Sequence, residues 1–150
     1  MFKKSLLGFS VFFGLVLFAH SASAYTPQTG DLLRTADDAT IVLVMDDGRR
    51  LPVSAEGYAI RYQNNFGLVK TVTSAERGSY SSNLVLGKEN SIPSGSVFMY
   101  DFNQPGIYLV QNGFKRLFST YGGFLAGGYD LNNVQWIGQY TEYPTGAPVQ

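Results

Sequence analysis

The chain has 150 residues, 11 lysines and arginines balanced by 11 aspartates and glutamates, one histidine and no cysteine. That balance gives no electrostatic reason to expect nucleic acid or an anionic membrane as partner. The single histidine, His20, falls in a leader segment, so the processed chain has no disulfide, Ser-His-Asp triad, Cys-His dyad or His-liganded zinc.

Residues 1–24 read as a secretory signal peptide. Lys3 and Lys4 supply its positive start, an apolar run extends from Leu6 to Phe18, and Ala22-Ser23-Ala24 puts alanine at both positions that signal peptidase reads. The apolar run has 13 residues, short of the about 20 that a spanning helix needs. No cysteine follows it to carry a lipid. Cleavage after Ala24 leaves residues 25–150, with nine basic and eleven acidic side chains and no second long apolar run. The expected destination is extracytoplasmic, in the bacterial style, secreted or associated with the cell envelope, with no membrane span after cleavage.

High tyrosine and glycine with modest charge suit a β-rich, turn-rich fold. A shift of 65 residues lays the two halves of the processed chain over one another without a gap for about 46 positions. Gly30 meets Gly95, Gly48 meets Gly113, Ser54 meets Ser119, Gly57 meets Gly122 and Val69 meets Val134. Structure-bearing residues recur in type and order, the mark of a diverged repeat. The first unit covers 25–92, with an insertion near 78–91, and the second covers 93–150.

Each unit begins with an apolar strand, Val42–Met45 or Ile107–Val110, that runs into Asp47-Gly48 or Asn112-Gly113. Both dipeptides predict a type I′ hairpin. A second strand follows at 49–53 or 114–118, where Pro52 marks a sheet edge. Ser54 then caps a short helix through Tyr62, and the counterpart from Ser119 to Tyr129 is weakened by four glycines. A brief strand closes each unit, at 68–72 and 134–137. A further strand is expected at Asn83–Leu86, and Pro144-Thr145-Gly146 repeats the boundary marks Pro27-Gln28-Thr29-Gly30 and Pro93-Ser94-Gly95, as a cap on the fold or as the sign of a longer array. The fold class is therefore α+β and β-rich: two diverged β-hairpin–helix–strand repeats packed as one small domain.

The stretch from Ile107 to Ser119 and the closing Tyr143-Pro144-Thr145-Gly146-Ala147-Pro148 resemble tandem modules in secreted and cell-surface proteins of uncultivated bacteria. That resemblance implies a cell-surface setting and no catalytic residues.

No phosphate loop or Ser-x-x-Lys pattern is present in the processed chain, and no cofactor is expected. Paired carboxylates would still serve a glycosidase. The candidates are Asp46, Asp47, Glu56, Glu76, Glu89, Asp101 and Glu142, although turn and helix-start positions account for Asp47 and Glu56. Asp37-Asp38 and Asp46-Asp47-Gly48 fall short of a calcium loop, so no metal site is expected. Arg50 and Lys115 occupy equivalent strand positions and form a candidate anion contact. Trp136, Tyr140 and Tyr143 form a candidate platform for stacking on sugar rings. The expected function is a non-catalytic binding module for a cell-wall polysaccharide or a surface protein. The alternatives are a small carbohydrate-active hydrolase and a structural piece of a surface assembly.

Overall fold

The computed structural model describes residues 24–81, 83–100, 105–137 and 142–150. The signal-peptide reading, including Ala22, lies outside these residues except for Ala24, which is exposed. Four strands make the first sheet: β1 (Leu32–Arg34), β2 (Ile41–Val44), β3 (Arg50–Val53) and β4 (Val69–Thr71), in the order β3-β2-β1-β4. The second repeats this with β5 (Val97–Tyr100), β6 (Tyr108–Gln111), β7 (Phe114–Leu117) and β8 (Gln135–Ile137), in the order β7-β6-β5-β8. In both sheets the first three strands are antiparallel and the last lies parallel to the first. A parallel strand cannot be reached by a tight turn, so a helix carries the chain across: α1 (Ala55–Tyr62) in unit 1 and α3 (Tyr121–Ala126) in unit 2. A four-residue helix, α2 (Ser74–Arg77), follows β4 and is closed by a capping box between Thr73 and Glu76. The protein is thus a small α+β fold with two similar halves.

The ungapped shift of 65 residues needs one correction. Gly30 N–H donates to the Val44 carbonyl and Gly95 N–H to that of Val110, so β2 and β6 correspond with a shift of 66. The connection before β6 is one residue longer, and the turn after it is one residue shorter. Asn112 and Gly113 both have positive φ, at 51° and 79°, and form the expected type I′ turn between Gln111 and Phe114. In unit 1 the Met45 N–H bonds to Arg49 and only Gly48 has positive φ, at 81°. That is a three-residue loop with a left-handed glycine, not a type I′ turn.

The helices also shift by one. Ser54 Oγ accepts from Gly57 N–H, whereas in unit 2 the cap is Thr120, accepting from Gly123 N–H. The glycines weaken α3 less than expected because Gly127 and Gly128, the latter at φ 78°, end the helix and do not interrupt it.

The 78–91 segment is not peculiar to unit 1. Its chain runs parallel to the outer edge of β3, with Ser81 N–H on the Arg50 carbonyl and Leu86 N–H on that of Pro52. In unit 2 the stretch 144–149 does the same along β7, with Gly146 N–H on Lys115 and Val149 N–H on Leu117. Pro144-Thr145-Gly146 thus begins an edge cover within unit 2. The expected Asn83–Leu86 strand reduces to a bridge at Leu86. Each covering segment then crosses its helix at a glycine: a Cβ on Gly57 would lie 2.0 Å from the Leu86 carbonyl oxygen, and one on Gly123 would lie 3.0 Å from that of Gln150.

Leu32, Leu43, Leu51, Val53, Tyr58, Tyr62 and Leu86 form the core between sheet and helix in unit 1. Val97, Leu109, Phe118 and Phe124 are its counterpart in unit 2. Strand alternation sends Leu33, Val42 and Val44 to the opposite face of the first sheet, where they are buried too. The corresponding face of the second sheet holds Phe98 and Val110, packed with Ile92 and Tyr143.

Substituting Gly57→Ala should lower stability by about 1–3 kcal/mol, because backbone crowding outweighs the gain in helix propensity. Gly122→Ala meets nothing nearer than 3.8 Å and should raise stability by about 0.5–1 kcal/mol. Thermal unfolding of the two variants checks the contrast.

Candidate functional site

The two units meet along a seam built from turns. Gly30, at φ 86°, has no side chain, and the Phe114 ring occupies the space a Cβ would fill, 1.9 Å from that position. Gly113, in the unit 2 hairpin turn, is covered in the same way by the Tyr62 ring. Polar contacts flank these two. Asp46 accepts from Thr145 N–H at 3.0 Å and from its hydroxyl at 2.7 Å. Arg49 grips Glu142 with two bonds, at 3.2 and 3.1 Å.

Beneath the seam lies Arg61, with 0% exposure. Its guanidinium donates to Ser91 Oγ at 2.8 Å, the Glu142 carbonyl at 2.7 Å and the Asn90 carbonyl at 2.6 Å, and it lies 4.0 Å from the centre of the Tyr143 ring.

Two adjoining clefts open on the seam, of about 420 and 180 Å³, and share Tyr62, Asn65, Leu68 and Asn112. Phe114, Asp31 and Lys70 complete the larger one. Lys70 Nζ donates to Asp31 Oδ1 at 2.6 Å and to the Tyr25 hydroxyl at 2.5 Å, and Tyr25 in turn bonds Asp31. Burial pushes the Asp31 carboxyl up, but the bonds from Lys70, Tyr25 and Gln28 outweigh it and hold the group below its ordinary 3.8. The bond to Asp31 raises Lys70 in turn. The cleft therefore presents amides, apolar side chains and an ion pair that neutralises itself.

Tyr62 is 5% exposed, and its hydroxyl has no hydrogen-bond partner among the described residues. Burial pushes its titration well above the usual range for tyrosine, so the ring acts as a neutral wall. Tyr58, one turn earlier in α1, donates its hydroxyl to the Asn65 carbonyl at 2.6 Å and fixes the 3-10 turn (Phe66–Leu68) that floors the cleft.

The expected aromatic platform requires correction. Tyr143 is 1% exposed, with its hydroxyl bonded to both the N–H and the carbonyl of Ile92, so it is a core residue and offers no face for stacking. Tyr140 lies outside the described residues. Trp136 is on β8 and is 65% exposed. Arg50 also differs from the expected anion contact: its guanidinium donates to the carbonyls of Gly48 and Arg77. Lys115 lies half-buried on β7, on the strand face it shares with Val110.

The acids considered for hydrolysis hold structural posts. Asp46 and Glu142 tie the seam, Asp47 bonds Arg49, and Glu76 completes the α2 capping box. Glu56 sits in the first turn of α1 and Glu89 in a 3-10 turn, while Asp101 lies outside the described residues. No group of three or more His, Cys, Asp or Glu able to hold a metal occurs among the described residues. Compared with protein-family models, curated proteins and solved structures, the chain finds no match.

Sequence reasoning missed Arg61, Asn65 and Phe114 as seam residues. The available signals were Gly30 and Asn112-Gly113, which read as turns without showing what packs on them.

Two measurements follow. Tyr62→Phe removes an unbonded hydroxyl and should leave stability within about 0.5 kcal/mol of the parent, whereas Tyr58→Phe should lose about 1 kcal/mol in denaturant unfolding. The Asp31 carboxyl titrates lower in the folded state than unfolded, so its contribution is full above 3.8 and disappears as pH falls through the folded-state value. Asp31→Asn should therefore flatten the loss of thermal stability as pH falls below 3.8.

Proposed function

We propose that the processed chain is an extracytoplasmic, non-catalytic module of the bacterial cell envelope that binds an uncharged, hydroxyl- or amide-rich surface polymer, or a protein segment of the same chemistry, in the seam cleft. One observation carries this reading: a concavity lined by both units combines the Tyr62 and Phe114 rings with Asn65 and Asn112 around an internally neutralised Lys70–Asp31 pair. Aromatic walls with a few placed polar groups suit such a ligand. The balanced charge removes the long-range steering that an anionic polymer would use. The signal-like leader and the resemblance to surface modules point to the same setting.

The test is co-sedimentation of the processed chain with insoluble cell wall, followed by titration with soluble wall fragments. The parent should bind saturably. Asn112→Gly keeps the positive φ while deleting the amide, and Leu68→Ala trims an exposed wall, so each should weaken binding about tenfold. Parent protein that stays in the supernatant would sink the polymer reading.

A further inference from the structure

Each sheet has two edges, and unpaired strand edges invite association unless something guards them. Three of the four are guarded. The outer edge of β3 is bonded to the chain at Ser81 and Leu86, and that of β7 to the chain at 144–149. On β4 the exposed Lys70 is paired with Asp31 and lies beneath the Tyr25 ring at 4.8 Å, while the Tyr25 N–H is anchored on Glu76. The fourth edge is β8, and among the described residues it has neither a bridging segment nor a charge.

Comparison of the two units shows how this edge differs. In unit 1 Arg34 and Thr71 stand side by side in the β1–β4 register, joined by a bond of 3.2 Å from Arg34 Nε to Thr71 Oγ1. The same register position in unit 2 holds Met99 and Trp136. Lys70 is likewise replaced by Gln135. A polar, cationic edge has become an uncharged one with a tryptophan 65% exposed.

We propose that β8 is a self-association edge: two copies of the chain pair antiparallel through β8 about a two-fold axis centred on Trp136. In this arrangement Gln135 of one copy faces Ile137 of the other and the two Trp136 residues face each other, so no like charges are opposed. A cross-strand aromatic pair is among the favourable ones. The same pairing through β4 would set Lys70 against Lys70. A second copy fits this edge because an isologous contact requires a self-complementary strand, and Gln135-Trp136-Ile137 carries no charge to spoil it. The edge is short, so the dimer is weak and depends on concentration. This contact uses none of the seam residues and stands apart from the seam reading.

The experiment is sedimentation velocity of the processed chain from about 10 μM to about 1 mM, with circular dichroism confirming the fold of each variant. The parent mass should rise from one copy toward two, with a blue shift of Trp136 emission over the same range. Trp136→Lys should remain one copy throughout, Trp136→Phe should still associate, and Thr71→Lys on the guarded edge should behave as the parent. A parent that stays monomeric across the range overturns the proposal, as does a Trp136→Lys variant that dimerises like the parent. Loss of wall binding in Trp136→Lys with a monomeric parent also overturns it, and assigns Trp136 to a ligand site. Loss of wall binding in Asn112→Gly with dimerisation intact leaves the β8 contact standing and bears on the seam alone.

Discussion

The buried guanidinium of Arg61 is the constraint around which the two halves are arranged. Taking a permanently charged group out of water is costly unless its donors are satisfied. Three acceptors come from outside its own helix: Ser91 and Asn90 in the segment that leads into unit 2, and the Glu142 carbonyl beyond β8. Tyr143 covers the charge from above, and its hydroxyl reaches back to Ile92 in the same segment. The end of unit 1 that leads into unit 2 and the close of unit 2 are thus fastened to one side chain of unit 1. By the alignment of the helix caps the equivalent position in unit 2 is Gly127, so α3 does not repeat the device.

Around this buried post the seam is assembled from residues that, taken singly, are ordinary turn formers. The unit 1 loop contributes Asp46 and Arg49, the unit 2 loop contributes Gly113 and Phe114, and Gly30 makes room for the Phe114 ring. The difference in loop length between the two hairpins suits these tasks. The three-residue loop carries the side chains that reach Thr145 and Glu142, and the tighter two-residue loop places a bare glycine against Tyr62.

Local features were legible because they are set by neighbours in the chain. The strand runs, the Ser54 cap, the Asn112-Gly113 turn and the crossover helix all follow from patterns a few residues long. The Asp47-Gly48 turn was misjudged because an Asp-Gly pair serves both two- and three-residue loops, and only the pairing of Met45 with Arg49 separates them. The edge covers could not be read, since their partners lie about thirty residues away and the bonds are between backbones. Tyrosine was the hardest to place: the same side chain suits an exposed platform and a core, and Tyr143 went to the core because of Arg61, far upstream in the chain.

The edge covers also set an order of events. In each unit the segment that seals the outer strand and crosses the helix comes after every other element of that unit. In order along the chain, the cover of β3 is available once Leu86 is present, whereas β7 is unsealed until Val149 and Gln150 follow, and Arg61 waits for Glu142 for its third acceptor. With no disulfide to trap a partial structure, the second half stays reversible until those residues are in place.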